Sequence, residues 1–331
     1  MNTVLVLSVI CSLLVSTGDR DATDDPLAQL KEDARTLSTA YTSPLAQRML
    51  AQVGKLPVPE PKTIHATFRP NRVYTEEELG SMSEEGRAKV RTLEFEPADT
   101  YTTFYGTPLV YARVLELAQT RAGISTIDGA DILDLGYGQL GQLRLWAQMG
   151  ADVTGVEVDP ILTALYEGSE LLGDLDGDPE TSGSLRVLEC AFPQDEACAK
   201  DVGDGYELIV SRNLLKRGYV KPMSVTPGFP EPVGHGMDDD EILGAFYQAL
   251  SPGGVLIIES LGSAPDPAKP WSDISNPWDR EQWEGAGFEV IAHDEEENHF
   301  VREQGRALGW GESMNLDEDL FSVYSIYRKP G

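Results

Sequence analysis

The 331-residue chain is short of the residues that mark several common functions. It holds three cysteines and four histidines (His65, His235, His293, His299), scattered and without zinc-ligand spacing, so no metal site is expected. Basic residues are scarce: 26 Lys and Arg face 55 Asp and Glu, for a formal charge of −29. A nucleic acid would meet net repulsion, and no Lys/Arg cluster offers a local exception, so that class of partner is excluded. The surplus acid reads as a solvated surface, suited to a salty environment. There is no internal repeat and no long low-complexity tract.

Long apolar runs are missing as well. Residues 4–15 are apolar except for Ser8 and Ser12, too few to span a bilayer comfortably. Ser16, Thr17 and Gly18 follow, then charged residues, so residues 1–18 read as a cleaved secretory signal, although no Lys or Arg precedes the run. The alternative is a hydrophobic N-terminal helix. With a genuine signal the protein is secreted or periplasmic and keeps no stable membrane span; without one it is cytoplasmic. Cys11 would leave with the signal. Cys190 and Cys198 can pair in an exported chain, but a small apolar role is the expectation, with Cys190 on a buried strand end.

What the chain does have is concentrated in DILDLGYGQLGQLRLWAQMGADVTGVEVDP, residues 131–160. An apolar run (Ile132, Leu133, Leu135) leads into Gly136, Gly138 and Gly141. An amphipathic stretch with Leu143, Trp146 and Met149 follows, then a second apolar run ending on Glu157. This is strand, glycine turn, helix, strand, with an acid at the second strand's tip. Glycines let backbone approach a ligand closely. The helix start offers unpaired N–H groups to an anion, and Glu157 can accept both hydroxyls of a ribose. Dinucleotides and S-adenosylmethionine are both bound this way.

Upstream, Asp25-Pro26 and Ser43-Pro44 predict helices over 26–37 and 44–53. LPVPEPK (56–62) predicts an extended linker, and Thr75 and Ser83 each begin a helical turn. Residues 19–100 thus form a helical extension or substrate lid, with 101–331 as the main domain. Thr107-Pro108 opens a helix just before the glycine strand; its hydroxyl either sits beside a cofactor carboxylate or simply caps that helix. Tyr101 and Tyr105 roof the active site or belong to the core. The acidic loop around 173–183 lacks the spacing of a calcium loop.

Downstream, LRVLEC, 208–210, 255–258, 288–292 and 320–329 predict strands, alternating with helices at 238–249 and 280–284. The fold class is therefore α/β: a doubly wound, mostly parallel Rossmann-like sheet with a C-terminal antiparallel strand and an N-terminal helical extension. Ser211, Arg212 and Asn213 stand at a strand's carboxyl end, where ligands bind in such sheets. Lys216 and Arg217 either meet an anionic substrate or form a loop salt bridge. The Pro/Gly-rich loop KPMSVTPGFPEPVGHG has the length of a lid and carries His235, a candidate general base.

Taken together, ILDLGYGQLG, GVEVDP, YELIVSRNLL, LSPGGVLIIES with GAGFEV, and the closing strand resemble the class I S-adenosylmethionine-dependent methyltransferases over residues 101–328. The resemblance implies S-adenosylmethionine as cofactor. Gly136, Gly138 and Gly141 would cradle its methionine end, Asp134 would orient its ammonium, and Glu157 would hold the ribose. Thr107 and Ser211 would lie against the cofactor, and Arg212, Asn213 and His235 at the transfer site. The chain departs from the pattern at Leu140, where a third glycine is usual, and after LRVLEC, where an adenine-reading acid is missing. It also lacks the Asn/Asp-Pro-Pro-aromatic signature of amino-group methylation on bases or glutamine, so a small-molecule acceptor is expected. A catalytically silent scaffold with this fold and an NAD(P)-dependent oxidoreductase are the alternatives.

Overall fold

The computed structural model describes residues 25–68, 70–175, 183–222, 233–264, 266 and 268–331. The expected signal (1–18) and residues 223–232 of the expected lid loop lie outside the described residues.

An eight-stranded sheet forms the centre. Its parallel strands are β4 (Asp131–Leu135), β5 (Asp152–Glu157), β7 (Ser184–Glu189), β8 (Tyr206–Arg212) and β9 (Leu250–Gly262). Short β6 (Gly173–Asp174) pairs antiparallel on β7. Two strands complete the other side: β11 (Phe321–Arg328) runs antiparallel to β9, and β10 (Glu289–Glu296) antiparallel to β11. The full order is β10-β11-β9-β8-β4-β5-β7-β6. Winding goes outward from β4 through β5 to β7, then returns to β8 and moves the other way. The order therefore reverses between β4 and β8, and a ligand crevice is expected at the carboxyl ends of those two strands.

The central strands are apolar on both faces, as covered parallel strands must be. Ile132, Val153, Leu208, Val210, Val255 and Ile257 join one core cluster; Leu133, Leu135, Ile209, Leu256 and Ile258 join the other. Helices Ala112–Thr120 and Gly141–Ala147 lie on the first face. Helices Glu196–Val202, Asp239–Ala249 and Arg280–Gly285 lie on the second. Asp238 and Glu241 close a full capping box on Asp239–Ala249. Asp238→Ala should lower stability by about 1 kcal/mol, read as a denaturant midpoint shift at constant slope.

The expected N-terminal helices are present as Ala28–Ser38 and Pro44–Gln52, and Thr75 and Ser83 cap two more short ones. Beside them stands a three-stranded antiparallel sheet that sequence patterning did not mark: β1 (Lys62–Thr67), flanked by β2 (Arg72–Tyr74) and β3 (Arg91–Phe95). Its strands bury two, none and one residues in chain order, so apolar alternation is faint. Residues on both sides of the expected division at residue 100 pack together. Leu27, Leu37, Leu45 and Met49 share one apolar cluster with Leu115 and Ile326. Buried Glu116 ties the two parts together, accepting from the Thr42 and Ser43 N–H groups at 2.9 and 3.4 Å. Arg113 bridges Glu116 and Glu297, at 2.8 Å to each.

Cys190 and Cys198 form a disulfide, against the expected small apolar role. Cys190 falls just past the end of β7, half-buried, and helix Glu196–Val202 carries Cys198 back to it. Among the described residues no helix is long and apolar enough to cross a membrane.

Candidate functional site

β4 ends in a turn whose shape depends on glycine. Gly136 and Gly138 have φ of +67° and +61°, dihedrals costly for a side chain. Thr103 pins the turn from above, donating to the Gly138 carbonyl at 2.7 Å. The third predicted glycine has another job. A Cβ on Gly141 would come within 2.6 Å of Pro108 and the Tyr101 carbonyl, so this glycine permits helix Gly141–Ala147 to pack there rather than cradling a ligand.

Two acids flank the turn. Asp134 is fully buried on β4, and its Oδ2 accepts from Gln142 Nε2 at 2.8 Å. Its Oδ1 is buried without a hydrogen-bond partner among the described residues. Burial, with the Glu157 charge adding and Gln142 and Arg212 opposing, pushes its pKa up to about 7. Glu157 turns back toward the glycines: Oε2 accepts from Gly138 N at 3.3 Å and Oε1 from Val158 N at 2.7 Å. Burial raises its pKa to about 7 against these backbone N–H groups. Val158 beyond it is 54% exposed, an apolar wall on the β5 side.

The β8 end supplies the three residues expected from position. Ser211 is buried and its Oγ accepts from Leu215 N at 3.2 Å, bracing the turn that follows. Arg212 Nε meets Glu259 at 3.2 Å, while its Nη2 is buried with no partner among the described residues. Asn213 adopts φ +64° and donates its N–H to the Glu259 carbonyl at 2.7 Å. Strands β4, β5 and β8 thus bring Asp134, Gly136, Gly138, Glu157, Ser211, Arg212 and Asn213 to one edge.

Two predicted residues are not gathered there. Thr107 Oγ1 accepts from Leu109 N at 3.4 Å, the plain capping role. His235 is exposed in the turn after residue 232, and no hydrogen bond or ion pair joins it to the site among the described residues. Tyr101 is core, its hydroxyl donating to the Pro57 carbonyl. Tyr105 is the roof: its Cβ lies against Gly138 and its hydroxyl donates to Asp159 at 2.7 Å. Among the described residues neither Lys216 nor Arg217 makes a salt bridge. Lys216 is buried against Asn213, and Arg217 donates to the Asn276 carbonyl. Sequence reading missed Gln142 and Leu214. A Cβ on Gly136 would come within 2.9 Å of Leu214, so Leu214 covers that glycine as Tyr105 covers Gly138. Two surface hollows of about 620 and 470 Å³ lie elsewhere, the first lined by Arg306 and Leu316 and the second by Lys31 and Leu50.

The strand order now separates two fold types. A dinucleotide-binding sheet of order 3-2-1-4-5-6 has no antiparallel strand inserted beside its fifth; here β11 lies reversed between β9 and β10. The fold is that of the class I methyltransferases. Among solved structures this methyltransferase fold matches the cyclopropane synthase MmaA2 from Mycobacterium tuberculosis, at 14% identity over 67% of this chain and 85% of that one, TM-score 0.40. It also matches a phosphoethanolamine N-methyltransferase 2 from Haemonchus contortus in complex with phosphomonomethylethanolamine and S-adenosylhomocysteine. There the identity is 13% over 88% of this chain and 76% of that one, TM-score 0.39. A TehB-like methyltransferase from Corynebacterium glutamicum matches at 19% identity over 67% and 97%, TM-score 0.31. No protein-family model matches the chain, and no curated protein matches its sequence.

Proposed function

We propose that the protein is an S-adenosylmethionine-dependent methyltransferase acting on a small molecule. The observation that carries this reading is that Asp134 Oδ1 and Arg212 Nη2, both buried at the switch point, have no hydrogen-bond partner among the described residues. A buried acceptor and a buried donor left without partners are each costly unless something completes them. The ammonium of an amino-acid moiety suits the first, and a carboxylate or other acceptor oxygen suits the second. Glu157 at the tip of β5 stands where ribose hydroxyls would be received. Gly136 and Gly138 give the backbone its close approach.

S-adenosylmethionine supplies an already activated methyl group, so alignment does most of the catalytic work. The residues of this chain bind and orient: Asp134 and Glu157 hold the cofactor's polar groups, Val158 walls its base, and Asn213 faces the acceptor. His235 as a base finds no support in the geometry of the described residues.

A catalytically silent protein is the second reading, favoured by one observation. Leu214 and Tyr105 cover both positive-φ glycines, and Glu157 spends both oxygens on backbone N–H groups. Calorimetry separates the readings. The transferase should bind S-adenosylmethionine and S-adenosylhomocysteine with low-millimolar or tighter affinity and leave NAD(P) unbound; failure to bind either adenosyl compound removes it.

The disulfide and the apolar start of the chain together favour export, because cytosolic thiols are kept reduced. Intact-mass measurement of the native protein should show loss of the first eighteen or so residues and two hydrogens missing at Cys190–Cys198. A mass that retains Met1 and both thiols would reverse this.

A further inference from the structure

Beyond the end of β8 lies a lysine that no carboxylate partners among the described residues. Lys216 is 4% exposed, and its Nζ donates to two neutral oxygens, Asn213 Oδ1 at 2.9 Å and the Leu261 carbonyl at 3.2 Å. The Tyr219 ring centroid lies 4.2 Å from the nitrogen. Burying an amine without a counter-charge is unfavourable, and the same residue on the surface would be free of that penalty. What the burial achieves is visible at Asn213. Its Oδ1 accepts from Lys216 Nζ and also from Leu261 N at 3.3 Å. The Leu261 N–H can only donate, so the accepting atom is the amide oxygen, Lys216 donates to that same oxygen, and the side chain has one possible orientation. Its two Nδ2 hydrogens therefore face away from Lys216 and Leu261. They meet no acceptor among the described residues, and Nδ2 is not one of the sealed-off polar atoms.

We propose that Lys216 is a positioning residue that locks Asn213, making the Asn213 amide N–H pair the docking point for a carboxylate on the methyl acceptor. The inference rests on the transferase reading and adds to it the chemical class of the substrate. Three cations, Arg212, Lys216 and Arg217, fall within six residues of a chain carrying −29, and among the described residues only Arg212 is answered by a carboxylate. A neutral hydroxyl would need the N–H pair alone; an anionic oxygen gains from both the N–H pair and the nearby cations. Burial pushes the Lys216 amine down to about 7, and protonated or neutral it still donates to Asn213.

The test uses the full chain labelled with ¹⁵N-asparagine and ¹⁵N-leucine, titrated with sodium acetate and, separately, with sodium chloride at equal ionic strength. Acetate should shift the Asn213 side-chain amide pair saturably, and chloride should not. Lys216→Met should weaken the acetate response by at least about tenfold, the scale of one hydrogen bond to a charged group, and Lys216→Arg should restore part of it. Asn213→Asp keeps an acceptor for Lys216 and Leu261 but has nothing to donate. It should abolish the response read at the Leu261 backbone amide, and it keeps the test decisive if Lys216→Met does not fold. An acetate shift that is absent, matched by chloride (an adventitious ion only), or unaltered in Lys216→Met overturns the proposal. Calorimetry of the unaltered protein with S-adenosylhomocysteine decides the transferase reading separately, because the acetate response does not depend on it.

Discussion

Glu157→Ala is expected to weaken S-adenosylhomocysteine binding about a hundredfold, the scale of two hydrogen bonds from ribose hydroxyls to one carboxylate. Glu157 is the acid at the tip of β5, one strand over from the glycine turn, and it already faces that turn through the Gly138 N–H. Only a modest rearrangement, exchange of that 3.3 Å contact for a hydroxyl, lets it receive a ribose. The ligand-free protein should not suffer in proportion. The carboxylate is disfavoured by burial, and the exposed Val158 N–H it leaves behind can turn to water. The measurement is calorimetric affinity alongside the ligand-free melting temperature. Equal affinity in the variant and the parent would mean that Glu157 braces the glycine loop and nothing more.

Asp134→Asn should have opposite effects on stability and on binding. The folded-state pKa of Asp134 is raised to about 7 from an ordinary 3.8, with burial the main cause. The folded chain therefore keeps a proton that the unfolded chain releases between about pH 4 and 7. Stability from this group is full at low pH, falls as pH climbs through that window, and stays low above it. Asparagine, neutral throughout, should raise stability at pH 8 by on the order of 3 kcal/mol and change little near pH 4. Glu157 and Glu297, also raised to about 7, keep part of the parent's pH dependence in the variant. Binding should move the other way, because the Oδ1 that would receive an ammonium is lost. A variant with an unaltered melting temperature at pH 8, or with undiminished affinity for S-adenosylhomocysteine, would show that Asp134 is neither strained nor poised.

Much of this site was legible from strand ends. Gly136, Gly138, Glu157 and the Ser211–Arg212–Asn213 step were expected there by one rule, that in a doubly wound sheet ligand groups gather at the carboxyl edge, and Asp134 by the family resemblance alone. The helix starts were legible for a local reason, since Ser43, Thr75, Asp159 and Asp238 each cap the N–H groups a few residues on. Gly141 misled because spacing cannot tell a glycine that admits a ligand from one that admits Pro108. Leu214 and Gln142 were invisible for a related reason. Their roles come from where the turn after β8 and the helix after β4 meet the glycines, and nothing in an apolar or amide residue's identity announces that. The small sheet β2-β1-β3 was missed because mostly half-exposed strands lack the alternation that marks a buried face. The disulfide was left open because pairing depends on helix Glu196–Val202 folding back on β7.

The Thr42 and Ser43 amides that end on Glu116 bear on how the protein can be shortened. A version beginning at Tyr101 would open a trough where Tyr41, Leu45 and Met49 had lain, and would strand an acid meant for two backbone donors. Such a fragment should come out as insoluble material, whereas one that retains Tyr41, Leu45, Met49 and the two donors keeps those contacts.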